Sequence, residues 1–319
     1  MIVDLKGLRS FVAVASVGSI SRAAENIHIA QPALSNQIRQ IEDYFGTELF
    51  ERTHRGVKLT PAGERLLTHA RDLLRRFDIA LEDVREAISV PSGQVALGLP
   101  QSIAGYLAVP LVQTVFQRWP DLRLQIIAMN NGHVSEHLAK GDIDLGMTFG
   151  TTGGDGIFYS KLLDEELVFV ASTACIKAWL KKNNSRKKTI HLKDLQHFPI
   201  ILTTKTHSLR QRIDEYLRDA KIEINVIAEV NAIPQLIELA EAGVSSTVLS
   251  YSAVYQHVKN QKIDLLKIID PSITRSVYLC RNSTIPLSIA TSAIQNLIES
   301  LVTKMVSTGE WPTTLPPDE

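Results

Sequence analysis

Behind Pro32 the chain sets Gln31, Ser35, Asn36, Gln37 and Arg39, a run of hydrogen-bonding side chains where a helix would begin. Gln and Asn can each bond an adenine edge through two atoms in the major groove of DNA. Arg39 adds a cation beside them, and the exposed N–H groups of a helix start can hold a phosphate oxygen. Further on, Leu49 to Thr53 and Val57 to Leu59 flank His54-Arg55-Gly56, which predicts two short strands around a glycine-containing turn. Arg52 and Arg55 on that hairpin suit backbone phosphate or the minor groove. The chemistry these residues share is contact with double-stranded DNA rather than bond-making.

Three short helices must position them. Leu5, Leu8, Phe11, Val12 and Ala15 recur at helical spacing, and Gly18 ends the run. Ser19 or Ser21 caps a second helix, with Ala23, Ala24 and Ile27 facing inward. The small Ala-Ala pair permits a steep, close helix crossing. A short turn over His28 to Gln31 leads to Pro32, placed where a missing N–H costs nothing. The third helix carries Leu34, Ile38, Ile41 and Phe45 on one face and stops at Gly46. In a helix-turn-helix of this kind the second helix enters the groove N-terminus first.

The strings Ser21-Arg22-Ala23-Ala24-Glu25, Ile29-Ala30-Gln31-Pro32-Ala33-Leu34-Ser35, Ile41-Glu42, Leu49-Phe50-Glu51-Arg52-Thr53 and Leu59-Thr60-Pro61-Ala62-Gly63 closely resemble the signature of LysR-type transcriptional regulators. Residues 27–35 and the Arg55-Gly56-Val57 wing most resemble the nitrogen assimilation control protein branch. The resemblance implies an α/β chain with a winged helix-turn-helix, a long dimerisation helix, and an effector domain similar to type 2 periplasmic binding proteins. It puts Gln31, Pro32 and Ser35 at the DNA interface, with Arg52 on the wing; Ser21 and Thr53 are further candidates for DNA contact. Asn36 stands where many members carry a basic residue, a departure that removes one phosphate contact. The resemblance further implies sequence-specific binding to interrupted inverted repeats and a homodimer through the long helix assembling as a dimer of dimers (a homotetramer), with RNA polymerase a further expected partner. A cytoplasmic location is expected from the lack of an apolar run long enough to span a membrane.

Thr60-Pro61-Ala62-Gly63-Glu64 opens that long helix with a cap, a proline at the first position and an early acid. Its apolar positions, Leu66, Ala70, Leu73, Phe77, Leu81, Val84 and Ile88, predict a narrow stripe that ends before Pro91. A stripe of this kind packs either on its own domain or, as favoured here, on a partner helix. The expected organisation is therefore a DNA-binding domain over 1–60, a linker helix over 61–90 and a regulatory domain over 91–319. Within the last, one lobe spans about 91–163 with 271–306, and the other about 164–270.

From Gly93 short apolar runs alternate with amphipathic helices, an order that predicts parallel sheet covered by helices. Open α/β sheets bind ligands at the carboxyl ends of their strands. Gln101 and Ser102, Asn130 and Asn131, Phe149, and Thr203 and Thr204 all follow predicted strands. They are candidates for holding a small effector, expected to be anionic, although each polar residue could instead simply cap its helix. The nitrogen assimilation branch leaves a second expectation open, an effector-independent oligomerisation module with a vestigial cleft. The tail from Ser307, which holds Pro312, Pro316 and Pro317, is expected to be loose.

Composition narrows the alternatives. The 319 residues carry 34 Lys and Arg against 34 Asp and Glu, so bulk charge does not point to a polyanion. Two distant cysteines and no Cys/His cluster argue against zinc, and no cofactor is expected. The chain shows no GxSxG, P-loop or HExxH, and Gly153-Gly154-Asp155-Gly156 lacks dinucleotide-site spacing, so an enzyme is not expected. His133 and His137 are read as polar residues rather than ligands. The basic run Lys181 to Lys188 is read as a solvated loop. No apolar run reaches the ~18 residues of a membrane span.

Overall fold

The computed structural model describes residues 3–53, 56–84, 90–151, 153–154, 156–184 and 186–313, with 82–84 described by backbone alone. The chain divides into two compact units, residues 1–90 with 140–142 and 284–289, and the remainder.

In the first unit, helix α1 (Leu5–Val17) begins where Asp4 accepts the Gly7 N–H at 2.8 Å, and it ends at Gly18 with φ of 65°. Helix α2 (Ile20–Asn26) is capped by Ser19, which settles the choice between Ser19 and Ser21. Ala23 and Ala24 are buried, and Leu8, Phe11, Val14, Leu34, Ile38 and Ile41 close the core around them. His28 takes a left-handed φ of 54° in the turn before α3 (Gln31–Phe45). Phe45, expected inward, is 46% exposed and meets Tyr44 edge to face. It stands on the last turn of α3, beyond the reach of the α1–α2 core.

Strands β1 (Phe50–Thr53) and β2 (Gly56–Leu59) pair antiparallel. Gly56 takes φ of 134°, and a Cβ there would lie 2.2 Å from the Gly18 carbonyl oxygen. The Val57 N–H donates to that same oxygen at 3.0 Å, so the hairpin is tied to the end of α1. Helix α4 (Pro61–Val84) is capped by Thr60, whose Oγ1 accepts the Gly63 N–H. Leu66 and Ala70 join the core of this unit, as own-domain packing would have it. Leu73, Phe77 and Leu81 are exposed. Val84 and Ile88 of the same stripe lie outside the described side chains.

The second unit opens with β3 (Gly93–Pro100), α5 (Gln101–Arg118), β4 (Leu122–Met129), α6 (Val134–Lys140), β5 (Leu145–Phe149), β6 (Ile157–Ser172) and α7 (Thr173–Lys182). It continues through β7 (Thr189–His191), β8 (Ile200–Leu202), α8 (Ser208–Asp219), β9 (Val226–Glu229), α9 (Ile233–Glu241), β10 (Thr247–Ser250) and α10 (Tyr251–Lys259). Strands β11 (Ile263–Ile269) and β12 (Thr274–Asn282) and helix α11 (Ile289–Ser307) complete it. The principal sheet runs β4-β3-β5-β12-β6-β11-β7, with β10 also on β6, while β8 and β9 pair separately. Strand β3 is parallel to β4 and β5.

The long strand β6 serves two cores. Its first part, to Glu166, pairs with β12; its second, from Leu167, pairs with β10 and β11. One core gathers Leu97, Leu107, Met147, Leu163, Val277 and Ile298. The other gathers Phe169, Ile190, Leu202, Ile213, Val248 and Leu266. Strand β12 and α11 carry the chain back to the first core. Of the tail expected to be loose, residues 314–319 lie outside the described residues; in the described part Trp311 is fully buried, its backbone N–H donates to the Met305 carbonyl at 2.8 Å, and its ring meets Tyr106 at 5.2 Å. Burial of one large aromatic outweighs the polar residues around it. Among the described residues no helix is long and apolar enough to cross a membrane.

Candidate functional site

The first unit builds an exposed helix face. Around α3 the buried positions Leu34, Ile38 and Ile41 define one side, and Pro32, Asn36 and Arg39 stand exposed on the other. Gln31 is exposed at the N-terminus and Ser35 is half-buried beside it. No side chain caps this N-terminus, because Ala30 occupies the cap position. Pro32 has no N–H and the Ala33 and Leu34 N–H groups donate to the Ala30 carbonyl, so this end favours an anion through the positive end of the helix dipole. Gln37 differs from its neighbours: its Oε1 accepts the Ser10 hydroxyl at 2.7 Å, which holds α3 against α1. Ser21 is exposed on α2.

The hairpin is fixed to this helix by a residue that spacing alone did not single out. Glu42 Oε1 accepts the backbone N–H groups of Leu49 at 2.9 Å and Phe50 at 3.2 Å. Arg52 is exposed on β1. Thr53 donates its hydroxyl to the Gly56 carbonyl and so braces the hairpin turn. Arg55 lies outside the described residues.

The second unit holds a cleft with about 530 Å³ of space, solvent mouth included. Of the residues expected to hold a ligand, Gln101, Ser102, Asn130, Asn131 and Phe149 line it. Asn131 has its amide committed: Oδ1 accepts the Phe149 N–H at 2.6 Å and Nδ2 donates to the Phe149 carbonyl at 3.2 Å. It staples the end of β5 instead of presenting donors.

Thr203 and Thr204 are not among the lining residues. Thr203 is buried and its carbonyl accepts from Arg210, while Thr204 faces Thr206. A turn closed by the His207 N–H onto the Thr204 carbonyl separates β8 from α8, so the start of the helix reaches the cleft instead of the strand end. His207 and Ser208 take those places, joined by Asn231, Ser250 and Arg275. Sequence periodicity carried no signal for Arg275, which lies on the strand that returns between the two cores.

Arg275 and Glu165 form a buried pair at 2.5 Å. Both the Nε and Nη2 of Arg275 meet Glu165 Oε1, while Oε2 accepts the Ser252 hydroxyl at 3.1 Å. The guanidinium carbon lies 3.4 Å from the centre of the Phe149 ring. Burial pulls the Arg275 pKa below its ordinary value and Glu165 opposes that pull. His207 is also held below its usual range, by burial and then by the Arg275 charge. Its Nδ1 accepts the Leu209 N–H at 3.2 Å, which needs the ring neutral and its proton on Nε2. Helices α5, α9 and α10 begin at this cleft without side-chain caps; first-turn amides of α5 and α10 can serve as donors, whereas α9 has Pro234 in its first turn.

Other candidates carry less. Burial raises the pKa of both thiols, Cys280 to about 12, and Cys280 donates to the Gly146 carbonyl. Among the described residues no cluster of three or more His, Cys, Asp or Glu is placed to hold a metal. Lys181 and Lys182 are exposed at the end of α7, and Lys188 pairs with Asp264; Ser185 of that run lies outside the described residues.

The comparisons with known proteins agree with this geometry. Residues 5–64 match the bacterial regulatory helix-turn-helix family of the LysR type, and residues 89–305 match the LysR substrate binding domain family. The chain is 29% identical over 302 residues to the nitrogen assimilation regulatory protein nac of Klebsiella aerogenes, covering 94% of this chain and 96% of that one. It is 28% identical over 304 residues to the nac protein of Escherichia coli strain K12, covering 95% and 96%. A full-length OxyR variant from Pseudomonas aeruginosa has the same fold, with a TM-score of 0.77 at 20% identity, over 100% of this chain and 99% of that one. With both domain families matched in order, the chain belongs to the LysR family of transcription regulators, with a helix-turn-helix DNA-binding domain followed by an effector-binding domain.

Proposed function

We propose that this regulator reads promoter DNA through α3, with Gln31, Pro32, Ser35, Asn36 and Arg39 entering the major groove and Arg52 on the neighbouring phosphate backbone. One observation carries the reading: the N-terminus of α3 is exposed, uncapped and braced against the Arg52 hairpin by Glu42. A single winged helix makes few contacts, so two copies on an interrupted inverted repeat supply the affinity. The exposed residues Leu73, Phe77 and Leu81 of α4 support a homodimer, and the family's habit supports a dimer of dimers. A cytoplasmic location and contact with RNA polymerase follow from the same role.

The cleft of the second unit takes a small effector rich in acceptor oxygens. Its uncapped helix starts and the amides of Gln101 and Asn130 support this. Gel shift with fragments of the source genome, with footprinting of the retained fragments, tests the DNA claim. Protection of two half-sites about one helical turn or a multiple apart is the expected result. Retention of every fragment equally would remove the sequence-specific reading.

A further inference from the structure

A cationic side chain in a ligand cleft normally waits for a ligand's anion. Here it does not wait. Arg275 faces the cleft from β12, yet two of its nitrogens meet one oxygen of Glu165. Glu165 comes from β6, so strands that both run between the two cores supply the two halves of the pair. The second oxygen of Glu165 accepts the hydroxyl of Ser252 on α10, and the Ser250 hydroxyl lies 3.1 Å from that of Ser252. Phe149 covers the guanidinium face. Glu165 is 1% exposed, so water does not supply an alternative partner. The other basic residue lining the cleft, His207, is kept neutral by the bond its Nδ1 accepts. What remains facing the space is neutral: Gln101, Ser102, Asn130, Ser208 and Asn231.

We infer that Glu165 is the chain's own occupant of the anion subsite in this cleft, and that the effector is an uncharged molecule bearing acceptor oxygens. The inference rests on the effector reading above and replaces the anionic ligand that the sequence suggests. A free carboxylate reaches Arg275 only by displacing a carboxylate that is tethered, buried and bonded at both oxygens. A tethered group competes at an effective concentration that a dilute ligand does not match. Glu165 is thus a specificity-determining residue: it rejects small acids by occupying their place.

The test uses the full chain and sodium acetate, with acetamide as the neutral isostere and sodium chloride at equal ionic strength as control. Glu165→Ala vacates the space of one carboxylate. Acetate is expected to raise its Tm saturably by several degrees, while acetamide does not and the wild type does not respond. The double variant Glu165→Ala/Arg275→Met is expected to lose the response. Equal stabilisation of the wild type by acetate, or a response that survives in the double variant, overturns the inference. If Glu165→Ala fails to fold both with and without acetate, Glu165→Ser takes its place. That variant also removes the carboxylate beside Arg275 but keeps a hydroxyl there, and it is expected to respond to acetate where the wild type does not; identical behaviour of the two overturns the inference. Gel shift of the wild type runs alongside. Absence of any DNA retention there would sink the regulator reading, whereas the acetate results bear on Glu165 alone.

Discussion

Glu42 accepts the Phe50 N–H at 3.2 Å, a bond that ties helix α3 to the hairpin beside it. The same Oε1 also accepts from Leu49. Glu42→Ala leaves two partly buried donors without this partner, a loss of about 1–3 kcal/mol. The expected outcome is a lower Tm together with weaker DNA binding. Glu42→Gln keeps an acceptor oxygen and should recover most of both, as thermal melts and fluorescence anisotropy on one duplex would show.

Arg52 is exposed on β1 and lies on the hairpin that Glu42 fixes. Arg52→Ala should weaken binding nearly uniformly across sequences, and the slope of log K against log salt should shrink by about 1. A salt titration on specific and scrambled duplexes reads both. An unchanged slope would show that Arg52 does not touch phosphate.

Phe77 is 39% exposed on α4, with Leu73 and Leu81 exposed beside it. Phe77→Glu removes little from the isolated chain, since the ring is not in its core. It should instead shift the sedimentation profile toward monomer and lower operator affinity, with the unfolding of the monomer changed by less than about 1 kcal/mol. Dimer retained at micromolar concentration would move the seam elsewhere.

Trp311 is fully buried against Tyr106 and follows Gly309, whose φ is 74°. Trp311→Ala should cost about 3–5 kcal/mol, the range for emptying a large aromatic site. Chemical denaturation of the full chain measures it. A cost below about 1 kcal/mol would mean that the tail is not part of the core.

The first unit was legible in the sequence because its signals are local. A cap at Ser19, the Ala23–Ala24 pair, Pro32 and the two ending glycines each act within a few residues, and the helices formed where these marks stand, while the cap at Asp4 went unread. The left-handed turn at His28 was hidden, since the residue there is not glycine. In the second unit the βαβαβ opening was equally readable. The stretch that forms α10 and β11 was not read, and both pack on β6. Strand β6 crosses the lobe boundary expected near residue 164, and its first half, partly exposed and without a continuous apolar run, carried no strand signal.

The cleft follows the same division. Gln101, Ser102, Asn130 and Phe149 could be named from strand ends, but Arg275 and Glu165 lie 110 positions apart and meet only through strand pairing. Thr203 and Thr204 failed as lining residues because a turn intervenes before α8.

The central claim is that the start of α3 reads base edges, and the most direct measurement is selection of bound duplexes from a random library by wild type and Gln31→Ala. The wild type should enrich a two-fold symmetric consensus, and the variant should lose preference at the positions Gln31 contacts while still binding DNA. The same consensus recovered from both proteins would contradict it.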